Sequence, residues 1–120
     1  MNTTMNPAIE WKTINDKEYL YFTFEGTLTE ENASRGIVTW RELFGSKKGS
    51  HELIWDCMNM KGYKPMARSI WQKALKEHKD RIGIIWLITD SKLIQAGAKL
   101  MSFFVPYDFK VIKNKSEIEI

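Results

Sequence analysis

Tyr, Phe, Thr, Trp and Ile crowd two short stretches, Ala8 to Ile14 and Glu18 to Thr27, and the polar triplet Asn15-Asp16-Lys17 divides them. Such runs on either side of a turn signal predict a β-hairpin. In the second run Leu20, Phe22 and Phe24 alternate with Tyr19, Tyr21, Thr23 and Glu25, the period-2 pattern of a half-buried strand with one face against the core. The period then changes. Thr29 with Glu30, Glu31 and Asn32 supplies an N-cap and an acidic first turn, and Ala33, Ile37, Trp40 and Phe44 recur at helical spacing. Gly45-Ser46 and the polar run Lys47 to Ser50 stop that helix near Phe44.

HELIWDC, His51 to Cys57, is an apolar run of strand length, and the MNMKGYKPM that follows reads as a loop entering a helix at Pro65. Ala67, Ile70, Trp71, Ala74, Leu75 and His78 give this second helix its apolar stripe. Arg81 to Thr89, RIGIIWLIT, is apolar almost throughout, the signature of a strand covered on both faces. Asp90-Ser91 caps a third helix with Ile94, Ala98, Met101 and Val105 along one side, stopped by Pro106, and Asp108 to Lys113 offers a last strand. The terminal KSEIEI fits either a frayed strand or one helical turn.

The expected order is therefore β-β-α-β-α-β-α-β. It implies an α/β domain with a mixed, largely parallel sheet of about five strands, covered by helices through right-handed crossovers. With 120 residues the chain suits a single domain, placed at residues 7–120 behind a flexible tail at 1–6. Hydrophobic residues at 43% and charged residues at 28% fit a packed soluble fold, and fifteen aromatics, five of them Trp, predict an aromatic core.

Charge and chemistry narrow the function. Net charge is +3, divided unevenly: residues 1–60 hold six Lys and Arg against nine Asp and Glu, and residues 61–120 hold twelve against six. The cations are scattered singly, which argues against a nucleic-acid or membrane-surface partner. No run approaches the roughly 20 apolar residues that span a bilayer, and the lone Cys57 forms no internal disulfide. A cytoplasmic location is the expectation. GxGxxG, GxxxxGK[ST], HExxH and GxSxG are all absent, and His51 and His78 stand apart from any ligand-like spacing. Neither catalysis, a metal nor a cofactor is expected. An adjacent Asp56 raises a thiol pKa, so Cys57 is expected to be a buried structural residue.

The arrangement resembles the STAS superfamily, the fold of anti-sigma factor antagonists, and most closely its SpoIIAA-like branch. The resemblance runs from about Trp11 to Ile112. It rests on a hairpin ending in EGTLT, the strand HELIWD, the Gly62 loop entering a helix at Pro65, the strand RIGIIWLIT and the helix ending in SFF. It implies a non-enzymatic regulatory module that binds a protein partner. Phospho-regulated STAS domains carry Asp-Ser-Ser-Gly at the helix start; here the residues are Lys64-Pro65-Met66-Ala67, with Ser69 one turn further on, so a phosphoserine switch is not expected.

Two binding readings follow. In the first, Asp56, Asn59, Lys61, Gly62, Tyr63, Lys64, Met66 and Arg68 form the partner surface, with the alternative that Asp56 only holds its turn and that Met58, Met60 and Met66 only fill the core. In the second, Trp40, Trp71, Trp86 and Phe104 line a cavity for a small apolar or lipid-like ligand. The stripe through Ile94, Gly97, Ala98 and Met101 can pack on the sheet or on a second copy in a homodimer, and an outward Phe103 or Phe104 would add to such a patch.

Overall fold

A computed structural model describes residues 6–103, 105 and 108–118. Strand β1 (Ala8–Ile14) turns at Asn15 and Asp16, both at positive φ (53° and 65°), into β2 (Lys17–Leu28). Two left-handed residues make the type I′ turn that matches strand twist, and Asn and Asp tolerate that conformation. Helix α1 (Glu30–Gly45) opens with a reciprocal capping box between Thr29 and Asn32. Then follow β3 (His51–Tyr63), α2 (Pro65–Glu77), β4 (Ile82–Ile88), α3 (Lys92–Ser102) and β5 (Asp108–Ile112), with single 3₁₀ turns at Lys79–Arg81 and Lys115–Glu117. The end of the chain thus supplies a helical turn at 115–117, and residues 119–120 lie outside those described.

The five strands lie in the order β1-β2-β3-β4-β5. Only β1 and β2 are antiparallel; the rest run parallel. Three right-handed crossovers that all step in one direction put their helices on one face. On that face Phe22, Phe24, Trp55, Trp40 and Trp71 form one aromatic core with ring centroids 5.2–6.2 Å apart, apart from the Phe22–Phe24 pair at 6.3 Å. Ala33, Ala67 and Ala98 bring all three helices onto the same core.

The opposite face carries no α-helix in its core cluster, yet Tyr19, Tyr21, Ile54, Trp86 and Ile88 are buried there with Ile112 and Ile118. This corrects the half-buried reading of β2, whose two faces both reach a core. Tyr19 and Tyr21 bury their rings and keep polar tips, so alternation of aromatic with Tyr looked like alternation of inside with outside. Trp86 donates its Nε1 proton to Glu52 Oε1 at 2.9 Å, and Glu52 also pairs with Lys17. At the N-terminal end, Asn6 exchanges two hydrogen bonds with the backbone of Glu25.

Candidate functional site

β3 is six residues longer than the apolar run that announces it. Past Cys57 it keeps pairing with β2 through two register shifts, with Glu25 opposite Asn59, Gly26 opposite Met60, Thr27 opposite Gly62 and Leu28 opposite Tyr63. Gly26, at φ +58°, accommodates the irregularity. Residues 58–63, expected as loop, are therefore strand, and Lys64 N–H closes the ladder on Leu28 O at 2.9 Å. Immediately afterwards α2 starts, with Pro65 at its first position and no side-chain cap. On the far side of this corner α3 starts at Ser91, whose Oγ accepts from Ile94 N–H, while Thr89 Oγ1 accepts from Ser91 N–H at 3.0 Å. Helix starts and strand ends thus converge at the C-terminal edge of the parallel strands, the edge at which open α/β sheets bind ligands and partners.

Gly97 sets how closely α3 approaches, whereas Gly62 leaves room for an ordinary contact. A methyl group at Gly62 would lie 3.7 Å from Leu93, and one at Gly97 would lie 2.5 Å from the Tyr63 hydroxyl. Tyr63 is therefore seated against bare helix backbone. Behind it a cavity of about 50 Å³, almost wholly apolar, is lined by Trp55, Trp71, Cys57, Met60, Tyr63 and Arg68, among others.

The expected site residues separate into three groups. Tyr63 and half-buried Arg68 reach the cavity wall, while Lys61, Lys64 and Met66 are exposed, Met66 on the outer side of α2 with Ser69, Ile70 and Lys73. Met66 and Leu93 are 55% and 56% exposed, Met58 is 45% exposed, and only Met60 packs inward. Exposed Asn59 extends the strand opposite Glu25. Asp56 lies on the other face of the sheet, where Oδ2 accepts the Tyr21 hydroxyl at 2.5 Å and Oδ1 accepts Met58 N–H at 3.2 Å. It holds its strand end instead of joining the rim. Burial and then the Asp56 contact push the Tyr21 phenol well above its ordinary pKa. Cys57 faces the cavity, and burial, helped by Asp56, pushes its thiol far up as well, out of the range in which a thiolate attacks.

Of the aromatic residues expected around a cavity, Trp71 lines it. Trp40 does not: it is packed between Phe22, Phe44, Trp71 and His78. Trp86 belongs to the opposite face of the sheet, and Phe104 lies outside the described residues. Trp55 was missed, although the parity of HELIWDC puts Leu53, Trp55 and Cys57 on one face. Leu93 was missed because a single exposed Leu carries no periodic signal.

Among the described residues no cluster of three His, Cys, Asp or Glu could hold a metal ion, and no helix is long and apolar enough to cross a membrane. Lys61, Lys64, Arg68 and Lys92 take part in none of the ion pairs of the described residues, which join Lys17 to Glu52, Arg35 to Glu31, Arg41 to Glu77 and Lys47 to Glu18. The edge of the sheet at the starts of α2 and α3 thus carries exposed Lys61, Lys64 and Lys92 together with exposed Leu93.

No curated protein matches the chain significantly. Among solved structures it is similar to an uncharacterised protein of the DUF3478 family with a SpoIIAA-like fold from Shewanella loihica PV-4, at 21% identity and a TM-score of 0.77, over 98% of this chain and 94% of that one. The family model described as SpoIIAA-like matches residues 19–119, from the second hairpin strand to the final turn. The chain belongs to the SpoIIAA-like family, and its fold is the mixed five-stranded STAS-type sheet.

Proposed function

We propose that this protein is a non-enzymatic STAS-like interaction module that docks an acidic protein partner on the rim formed by Lys61 to Arg68 and the start of α3. The observation that carries the reading is exposed Leu93 beside Gly62, at an edge that also carries exposed Lys61, Lys64 and Lys92, cations with no ion pair among the described residues. Apolar anchors within a ring of charge are the usual composition of a protein-docking patch. The uncapped first turn of α2 adds free N–H groups, which favour a carboxylate-bearing partner. With Pro65 and Met66 in place of a hydroxyl residue, control of docking by phosphorylation at this helix start is not part of the reading. Cys57 is buried with a raised thiol pKa and Asp56 is engaged with Tyr21, which supports a binding role over nucleophilic catalysis.

A lipid carrier fits less well. The cavity of about 50 Å³ is far below the roughly 150 Å³ that admits benzene in a model protein core.

The test is affinity capture from the native cell with wild type and with Leu93→Asp and Met66→Asp in parallel. Both sites are exposed, so the substitutions leave the core untouched. Capture of a protein by wild type that falls at least about tenfold with Leu93→Asp supports the reading. Equal recovery by all three, or none by wild type, contradicts it.

A further inference from the structure

β1 ends the sheet, and its outer edge is a regular seven-residue strand without a bulge. A two-residue type I′ turn makes Ile14 and Lys17 a hydrogen-bonded pair, so pairing alternates outward from there. Lys12 with Tyr19, Glu10 with Tyr21 and Ala8 with Thr23 then bond to β2. Ile9, Trp11 and Thr13 direct their N–H and C=O groups away from the sheet, and no hydrogen bond among the described residues takes them up. Unpaired edge groups of this kind accept another strand unless side chains forbid it.

Here the side chains select a register. We propose that β1 is a homodimer interface, in which two copies join antiparallel about a two-fold axis at Trp11 to make a continuous ten-stranded sheet. With the axis at Trp11, Ile9 of one copy bonds to Thr13 of the second, Trp11 to Trp11, and Thr13 to Ile9. The parity of the free groups allows two neighbouring registers. An axis at Glu10 sets Glu10 against Glu10, and one at Lys12 sets Lys12 against Lys12. Only the Trp11 axis sets Glu10 opposite Lys12 twice over, in non-hydrogen-bonded pairs whose side chains lie closest. Exposed Glu10 makes no ion pair among the described residues, and half-buried Lys12 lies over the Tyr21 ring at 4.3 Å, on the sheet face that Glu10 shares. The strand is thus complementary to itself in charge and in backbone, as an isologous interface requires. This edge is at the opposite side of the sheet from α3, so dimerisation leaves the docking rim of each copy free.

Sedimentation velocity over a concentration series, with native mass spectrometry for stoichiometry, tests the proposal. Wild type is expected to be a dimer that dissociates on dilution. Glu10→Lys, which opposes Lys to Lys at both contacts, is expected to be monomeric, and Glu10→Lys with Lys12→Glu together is expected to restore the dimer. Thr13→Pro removes an N–H that points only outward, so it is expected to abolish the dimer while far-UV circular dichroism stays that of the wild type and melting matches that of the wild type diluted to monomer. A wild type that stays monomeric up to about 1 mM overturns the proposal. So does a dimer indifferent to Glu10→Lys and Thr13→Pro, or a folded double swap that remains monomeric.

Discussion

Gly97 has no room for a side chain, because the Tyr63 ring occupies the space where a methyl group would stand. Gly97→Ala is expected to destabilise the fold by about 1–2 kcal/mol, overpacking outweighing the gain in helix propensity. In a Tyr63→Ala background the same change should stabilise by about 0.5–1 kcal/mol, the ordinary Gly-to-Ala difference in a helix. Urea unfolding of the four proteins measures the coupling, and equal effects in both backgrounds would remove the close approach from the account. Single residues of this kind were partly legible. The spacing of Trp71 placed it on the core stripe of α2, and it does line the cavity. Trp86 was placed on the wrong face, among the cavity residues, because in RIGIIWLIT apolar residues point both ways and parity gives no contrast; its indole instead finds Glu52 on the opposite face. Phe22 and Phe24 were legible as core from alternation alone, whereas Tyr19 and Tyr21 were not, since Tyr satisfies an outside pattern and an inside position equally well.

At the scale of elements, the end of α1, the start of β3 and the end of α2 meet around Phe44. His51 and His78 flank its ring at 5.7 and 5.1 Å, and Arg81 lies over it while donating to the carbonyls of Phe44 at 2.7 Å and Gly49 at 3.0 Å, and to that of Lys47. Burial, with the Arg81 and Lys47 charges, holds His51 below its ordinary pKa against the pull of the Lys48 backbone and Glu18. Burial does the same to His78, where Glu77 pulls upward and Arg41 and Arg81 push down. Both imidazoles are thus neutral in the folded state at a pH where the unfolded chain already binds protons. Their contribution to stability is complete above the unfolded pKa of 6.5 and is lost as pH falls below it. The urea midpoint is expected to drop between about pH 7.5 and pH 5.5, and His78→Phe is expected to flatten that drop. A midpoint that rises toward acid contradicts the assignment. Helix starts were legible, because caps and periodic stripes coincide at Thr29, Pro65 and Ser91, but the end of the third helix was not: it stops at Ser102, and Val105, expected on its stripe, lies beyond it. Nor was the second half of β3 legible. Asn59, Lys61 and Gly62 read as loop by composition, but the ladder to β2 is made by backbone groups, which are indifferent to side-chain polarity.

For the whole molecule, strand order and crossover hand together decide where function can sit. Helices on one face and an unbroken sequential order make β1 and β5 the edge strands and leave one corner where strand ends meet helix starts. The order of elements was legible from the alternation of periods. That all three helices share a face was not, because it depends on the direction of each crossover, which no local pattern encodes. Lys61, Lys64 and Arg68 were legible as a basic surface. Their relation to Leu93 was not, since some thirty residues separate them in the chain and only the packing of α3 over Gly62 brings them together.

The claim that this rim docks a partner is tested most directly by heteronuclear NMR of the labelled chain, titrated with the protein that wild type captures and Leu93→Asp does not. The account predicts that amide shifts concentrate in residues 61–68 and 91–97, with the α1 surface and β1 unmoved. Shifts centred on α1 or on the Tyr19–Trp86 face of the sheet would contradict it.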